Sequence, residues 1–361
     1  MSLSSHQYRW LRLVRLFRRL QKIWVDWRGT SGQIYFEHRV GEYERIWEQV
    51  AEDLDAELLK LADEVWEFRR GKQRTRVNNY QLEYDNPVVL RIAGNKPLVH
   101  QLLVNRDLPV PMHKTFRLRD LDVANSFLKG HQQGCVVKPA DGFGGKGVTT
   151  HVQNYAELKR AAVLASLYSP NLLIEQQIPG ESYRLLVLNG KMVHAVCRRG
   201  LRLIADGSST IAELIADRNA QLKREGAPII DLDRDLDFTL DYQELDLESI
   251  PMRDEAILIK SINDPARKQV EVRTVYGETV TDQVCDEIVQ QAEMAAREVG
   301  SDFAGVDIIA RRIDVPLEES GGVINEINTT PALHHHYDSS TETYPEVAVQ
   351  AISLLLDRGQ S

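Results

Sequence analysis

Hydrophobic positions near the start of the chain recur with a helical rhythm. Trp10, Leu13, Val14, Phe17, Leu20 and Trp24 fall on one side, and Arg9, Arg12, Arg15, Arg19 and Lys22 on the other. This pattern predicts a basic amphipathic helix over residues 1–30. A second helical rhythm, Trp47, Val50 and Leu54, gives way to the short runs Glu57–Leu61 and Glu64–Arg69, which read as strands. Cys135–Lys138 is a strong strand ending in a glycine-rich loop. Leu172–Ile174, Leu185–Leu188 and Met192–Val196 are apolar enough for further strands. Thr210-Ile211-Ala212-Glu213 spells a capping box that opens a helix. Val284, Ile288, Ala295 and Val299 form another helix, closed by Gly300. Residues 229–250 carry eight acids among Leu and Ile and read as a solvated, partly ordered excursion. Two near-continuous apolar runs, Ala304–Ile309 and Gly322–Asn328, pair as neighbouring strands.

Composition narrows the class. A chain of 361 residues is long enough for two or three packed units. It has 43% hydrophobic and 27% charged residues, and no run reaches the ~20 apolar residues of a membrane span. Cys135, Cys197 and Cys285 are far apart and odd in number, which fits a reducing, cytoplasmic compartment rather than a disulfide framework. The net charge of −9 hides an asymmetry: residues 1–28 hold seven Arg or Lys against Asp26, leaving the rest at −15. The arginines also interrupt the apolar core a signal peptide needs. The basic helix either packs its Trp/Leu face on the body or a second copy, or docks on an anionic membrane, RNA or acidic partner.

Two stretches carry candidate chemistry. Val136-Val137-Lys138-Pro139 leads into Asp141-Gly142-Phe143-Gly144-Gly145-Lys146-Gly147. Alternation along the strand sends Lys138 to the face opposite Val137, and the glycines let backbone N–H groups close around phosphate oxygens. The order is not that of a Walker A loop, and a glycine-rich turn alone is as often purely structural. In the second stretch Glu326 and Asn328, two residues apart on a strand, share a face. With Asp307 on the neighbouring strand they would gather three hard oxygen ligands suited to Mg²⁺. The ordinary alternative is a strand pair with polar solvent-facing positions, but both strands are otherwise nearly all apolar. His334-His335-His336-Tyr337 follows directly. Three adjacent imidazoles rarely converge on one metal, so the run is not read as a metal site.

The ordered set Asn95-Lys96-Pro97, Val137-Lys138-Pro139, the glycine loop, Glu175-Gln176-Gln177-Ile178-Pro179-Gly180, Gly305-Val306-Asp307 and Glu326-Ile327-Asn328 resembles the ATP-grasp superfamily. The resemblance is closest to the ATP-grasp portion of cyanophycin synthetase, then to glutathione synthetase and ribosomal-protein glutamate ligase types. It runs from about residue 88 to 355 and includes Ser182–Val187, Ala205–Ile211 and Leu247–Pro251. It implies an α/β ATP-grasp fold of three subdomains, with ATP between two that contain antiparallel sheets. The expected division is the basic helix at 1–30, an N-terminal domain at 31–93, a central lid at 94–175 and a catalytic subdomain at 176–361, with no second ligase half.

The resemblance also implies roles. Lys96 and Lys138 would hold the ATP phosphates, under a lid formed by Gly142, Gly144, Gly145, Lys146 and Gly147. Glu175, Gln176, Gln177 and Ile178 would be the hinge against adenine. Glu181 would hold the ribose in place of an acid at Ser182. Asp307, Glu326 and Asn328 would bind Mg²⁺ (or Mn²⁺), and Arg184, Arg198 and Lys260 would face phosphate or the reacting carboxylate. The His334–His336 run would border the acceptor pocket. The implied activity joins a small-molecule carboxylate to an amine through an acyl-phosphate, releasing ADP and phosphate. Alternatives are a modifier that adds an amino acid to a protein or peptide, and a nucleotide-binding regulatory pseudoenzyme. Asn263-Asp264-Pro265-Ala266-Arg267-Lys268 departs from the cyanophycin-type turn, which implies a different substrate.

Overall fold

The structure is a computed structural model that describes residues 5–28, 31–142, 145–225, 229–262, 277–336 and 346–358. Gly144, the Asn263–Lys268 turn and Tyr337 lie outside the described residues. The chain forms two compact units: Met1–Cys197 with Thr279–Ser361, and Arg198–Glu278.

In the first unit three antiparallel sheets follow one another in sequence. β1 (Glu57–Ala62), β2 (Val65–Arg70), β3 (Gln73–Asn78) and β4 (Gln81–Leu82) form a meander in that order. It packs on helix α2 (Ser31–Asp53) and the helix Val347–Arg358, through Tyr43, Trp47, Trp66, Phe68 and Ile352. Trp47 Nε1 donates to Asn79 O at 2.8 Å, so the largest core side chain buries no unpaired donor. Helices α3 (Pro87–Ala93) and α4 (Lys96–Val104) follow.

The second sheet has the order β5-β8-β6-β7, from β5 (His113–Phe116), β6 (Cys135–Pro139), β7 (Thr149–Val152) and β8 (Leu172–Gln176). Helices α5 (Leu121–Lys129) and α6 (Tyr155–Ala165) cover one face, and Cys135, Val137, Leu158 and Ile174 fill the core between them. In the third sheet β9 (Glu181–Leu188) and β10 (Lys191–Arg198) sit beside β14 (Phe303–Ala310) and β15 (Val323–Thr329). The order is β13-β10-β9-β14-β15, with the short β13 (Gly277–Thr279) at the edge where the chain re-enters this unit. Helix Asp286–Val299 packs Ile288, Ala292 and Val299 on this sheet and ends at Gly300, whose φ of 80° supplies the left-handed cap.

Helix α1 (Ser5–Arg28) forms as predicted, but its contact with the body is not the one its pattern suggests. Leu11 and Val14 enter the α6 core, and Arg15 donates from Nε and Nη2 to Ser166 O at 3.2 and 2.8 Å. Ser166 is the C-cap of α6, so the guanidinium satisfies a carbonyl that the helix leaves open. Trp10, Leu13, Phe17 and Leu20 of the expected packing stripe face solvent instead.

The second unit holds β11 (Leu201–Ile204) paired with β12 (Ala256–Lys260), and helices α7 (Ile211–Arg224) and α8 (Arg234–Asp241). Thr210 and Glu213 make the reciprocal capping box. The acidic stretch 229–250 is better ordered than its composition suggests. Ile230, Leu236 and Leu240 are buried with Ile257 and Ile259 in a small core, and Asp233 caps α8.

Candidate active site

Four elements of the first unit bring charged side chains together. Helix α4 starts at Asn95, whose side chain accepts from Leu98 N at 3.2 Å. Its first backbone N–H, that of Lys96, donates to Ala140 O at 3.2 Å. A bridge between Asn95 and Asp141 ties the start of the helix to the glycine loop. Lys96 is thereby buried, with Nζ 2.8 Å from Gly142 O and 3.1 Å from Glu326 Oε1.

Lys138 leaves β6 on the face opposite the buried Val137. Val136 is paired with Glu175 of β8, so the Lys138 and Glu175 side chains meet diagonally on one face. Nζ lies 2.6 Å from Glu175 Oε2, and both groups are buried. The other oxygen, Oε1, makes no hydrogen bond among the described residues.

His100 lies one turn beyond Lys96 on the same face of α4 and sits 3.8 Å from Glu175 Oε1. Burial lowers its pKa, against the upward pull of Glu175. Nε2 is 3.0 Å from Asn325 O, which can only accept, so Nε2 carries the proton. Nδ1 then accepts from His113, whose Nδ1 lies 3.3 Å away and also reaches Pro111 O at 3.1 Å. Sequence reading passed over His100. The only signal was its four-residue spacing from Lys96.

On the third sheet, Asp307 of β14 stands opposite both Glu326 of β15 and Arg184 of β9. Arg184 donates from Nε and Nη2 to the two Asp307 oxygens at 2.7 and 2.8 Å, and Asn328 Nδ2 adds a third contact at 3.2 Å. Gly305, two residues earlier, lies under the arginine stem: a Cβ there would lie 3.1 Å from Pro331 Cβ and 3.4 Å from Arg184 Cδ and Nε. Asp307, Glu326 and Asn328 therefore do share a face. Two carboxylates and an amide are hard donors that fit a magnesium ion. Glu326 is the more open carboxylate, with 24% of its side chain accessible against 7% for Asp307.

The other predicted residues of the first unit lie in the glycine loop, at the end of β8, at the start of β9 and in the His334–His336 turn. Gly142, Gly145 and Gly147 all have positive φ, and a Cβ on Gly147 would come within 2.7 Å of Tyr168 Cδ2. Lys146 is exposed. In the hinge, Gln176 N donates to Met112 O and Gln177 N to Gly134 O, while Ile178 is buried. Glu181 and Ser182 are half-buried at the start of β9. Arg198 and Lys260 belong to the second unit, where Arg198 is buried and Lys260 Nζ lies 3.6 Å from Asp233 Oδ1. His334–His336 form a buried single turn in which His334 Nδ1 meets Tyr43 Oη at 2.8 Å and His336 Nδ1 meets His194 Nδ1 at 2.9 Å.

No family model matches the chain. Cyanophycin synthetase of Synechocystis is 27% identical over 297 residues, covering 80% of this chain and 33% of that protein. The glutathione biosynthesis bifunctional protein GshAB of Listeria monocytogenes is 26% identical over 302 residues, 81% of this chain and 38% of that one. The chain thus spans about a third of the length of the curated relatives it matches. Among solved structures, a bifunctional glutathione synthetase from Pasteurella multocida superposes with a TM-score of 0.54 at 21% identity, over 84% of this chain and 41% of that one.

Proposed function

We propose that this chain, whose fold is that of the ATP-grasp ligases, joins a carboxylate to an amine with ATP as the driving reactant. The observation that carries the reading is the convergence of Lys96, Lys138 and Arg184 with Asp307, Glu326 and Asn328 within one unit. Glu175 Oε1, a buried acceptor with no hydrogen bond among the described residues, supports a nucleotide there, because an adenine amine is a donor of the required kind.

A substrate carboxylate oxygen attacks the γ-phosphorus in line, the bond to the β-phosphate oxygen breaks, and ADP leaves. Lys96 and Lys138 offset the charge that shifts onto the phosphate oxygens. Asp307, Glu326 and Asn328 would hold a magnesium ion, which would supply positive charge against the negative charge of the phosphate oxygens. The amine nitrogen then attacks the carbonyl carbon of the acyl-phosphate, phosphate departs, and the nitrogen loses a proton. Closure of the glycine loop would exclude water meanwhile.

The test is product analysis over a panel of amino acids and small acids. The acyl-phosphate route gives ADP and orthophosphate, and hydroxylamine in place of the amine traps an equal amount of hydroxamate. Stoichiometric AMP and pyrophosphate would mean adenylation and defeat the reading.

A further inference from the structure

We propose that helix α1 docks the protein on an anionic lipid surface. Its outward side is apolar and wide open: Trp10, Leu13, Phe17 and Leu20, spaced three, four and three residues apart, are 60%, 64%, 67% and 58% exposed. Large apolar side chains exposed in a row on one helix are costly in water unless something covers them. The described residues of the body do not cover them, because the helix is already anchored along a different edge by Leu11, Val14 and Arg15. Arg9 borders the stripe, Arg12 and Arg19 lie farther round the helix, and all three are exposed as well. A groove beside the helix is lined, among the described residues, by Arg9, Arg12, Arg15 and Arg19 with Leu13 and Leu16.

The chemistry selects the occupant. A second copy meeting this face with its own α1 would bring two sets of arginines together, at a cost in repulsion. A nucleic acid would answer the arginines but has nothing to cover a Trp/Leu/Phe/Leu stripe. A bilayer interface carrying anionic headgroups answers both: the apolar stripe enters the acyl boundary, and the guanidiniums stay at phosphate level. No described helix is long and apolar enough to cross a membrane, so the contact is a surface one. The contrast between +6 over residues 1–28 and −15 over the remainder limits the contact to the α1 side, since the rest of the chain is repelled by the same surface. The Arg15 fork on the α6 C-cap holds the helix formed before contact, so docking bears little ordering cost.

The experiment is co-sedimentation of the full chain with vesicles of phosphatidylcholine alone or with about one third phosphatidylglycerol. Two triple variants are compared: Arg9→Gln/Arg12→Gln/Arg19→Gln, and Leu13→Ser/Phe17→Ser/Leu20→Ser. These side chains are exposed, so circular dichroism and the thermal midpoint should match wild type. Wild type should sediment with the anionic vesicles, not the neutral ones, and come off in high salt. The glutamine variant should bind on the order of a hundredfold more weakly, and the serine variant should also fail. Absence of wild-type binding, equal binding to neutral vesicles, or binding indifferent to both variants overturns the proposal. So does either of two results with vesicles left unbound: a dimer that the serine variant dissolves, or RNA retention that the glutamine variant abolishes.

Discussion

At the residue scale, the lysine at the centre of the proposed nucleotide site is also a structural partner. Lys138 and Glu175 form a buried pair, and removing one member leaves the other charged and unsolvated. Lys138→Met should therefore lose ~3–5 kcal/mol of stability in urea titrations as well as nucleotide affinity. The double variant Lys138→Met/Glu175→Gln should recover most of the stability without recovering binding. If the single variant is as stable as wild type, the pair is not formed in solution. Glu326 calls for a different test because it is more open. Glu326→Gln keeps its shape, removes one charge and leaves Lys96 without its anionic partner. The magnesium concentration for half-maximal ADP release should rise on the order of tenfold, with partial rescue at high magnesium. An unchanged magnesium titration would take Glu326 out of the metal set.

At the element scale, the junction of β8 and β9 depends on one glycine. Gly180 has φ of 139°, and a Cβ there would come within 2.3 Å of Ala310 C and 2.4 Å of Ala310 O. Both are backbone atoms of β14 and cannot rotate aside, so Gly180→Ala should move the start of β9 and cost on the order of 3 kcal/mol. A urea midpoint equal to wild type would contradict this placement. In the second unit, Thr210→Ala removes one half of a capping box and should cost about 1 kcal/mol, read as faster amide exchange in α7. These elements differ in how plainly the sequence announces them. The capping box and the left-handed Gly300 are local chemistry and could be read directly. The pairing of β14 with β15 is read from the two largely apolar runs Ala304–Ile309 and Gly322–Asn328. Helix α8 was hidden because Asp233, Asp235, Asp237 and Asp241 alternate through it, and burial of Leu236 and Leu240 depends on packing with Ile257 and Ile259 of β12. The Arg184–Asp307 fork was hidden for a similar reason: it depends on strand register, which periodicity alone does not specify. The exposure of the α1 stripe was also not legible, since an amphipathic pattern says which residues share a side but not what meets it.

At the scale of the whole molecule, one buried histidine, His100, and two half-buried ones, His151 and His194, bear on how stability varies with pH. His100, His151 and His194 each have a pKa lowered below 6.5, with burial as the main cause. A lowered folded pKa means that, between that value and 6.5, the unfolded chain binds protons the folded chain refuses. Stability is then level above about pH 6.5 and falls as pH drops through the window below it. His194 adds a geometric reason, because its Nδ1 lies 2.9 Å from that of His336 and two imidazoliums at that distance repel. The carboxylate of Asp206, held low by hydrogen bonds from Ser209 and then Ser208, is protonated only at more acid pH and lies outside this window. Asp85 opposes the trend, since burial raises its pKa and the folded state takes up its proton first. The thermal midpoint should therefore decline as pH falls from about 6.5 to about 5, before carboxylate titration dominates. His194→Gln should make that decline shallower while lowering the midpoint little at neutral pH. A midpoint flat across this interval would show that these imidazoles are not buried in the neutral form. A wild-type slope in His194→Gln would assign the effect to His100 and His151 alone.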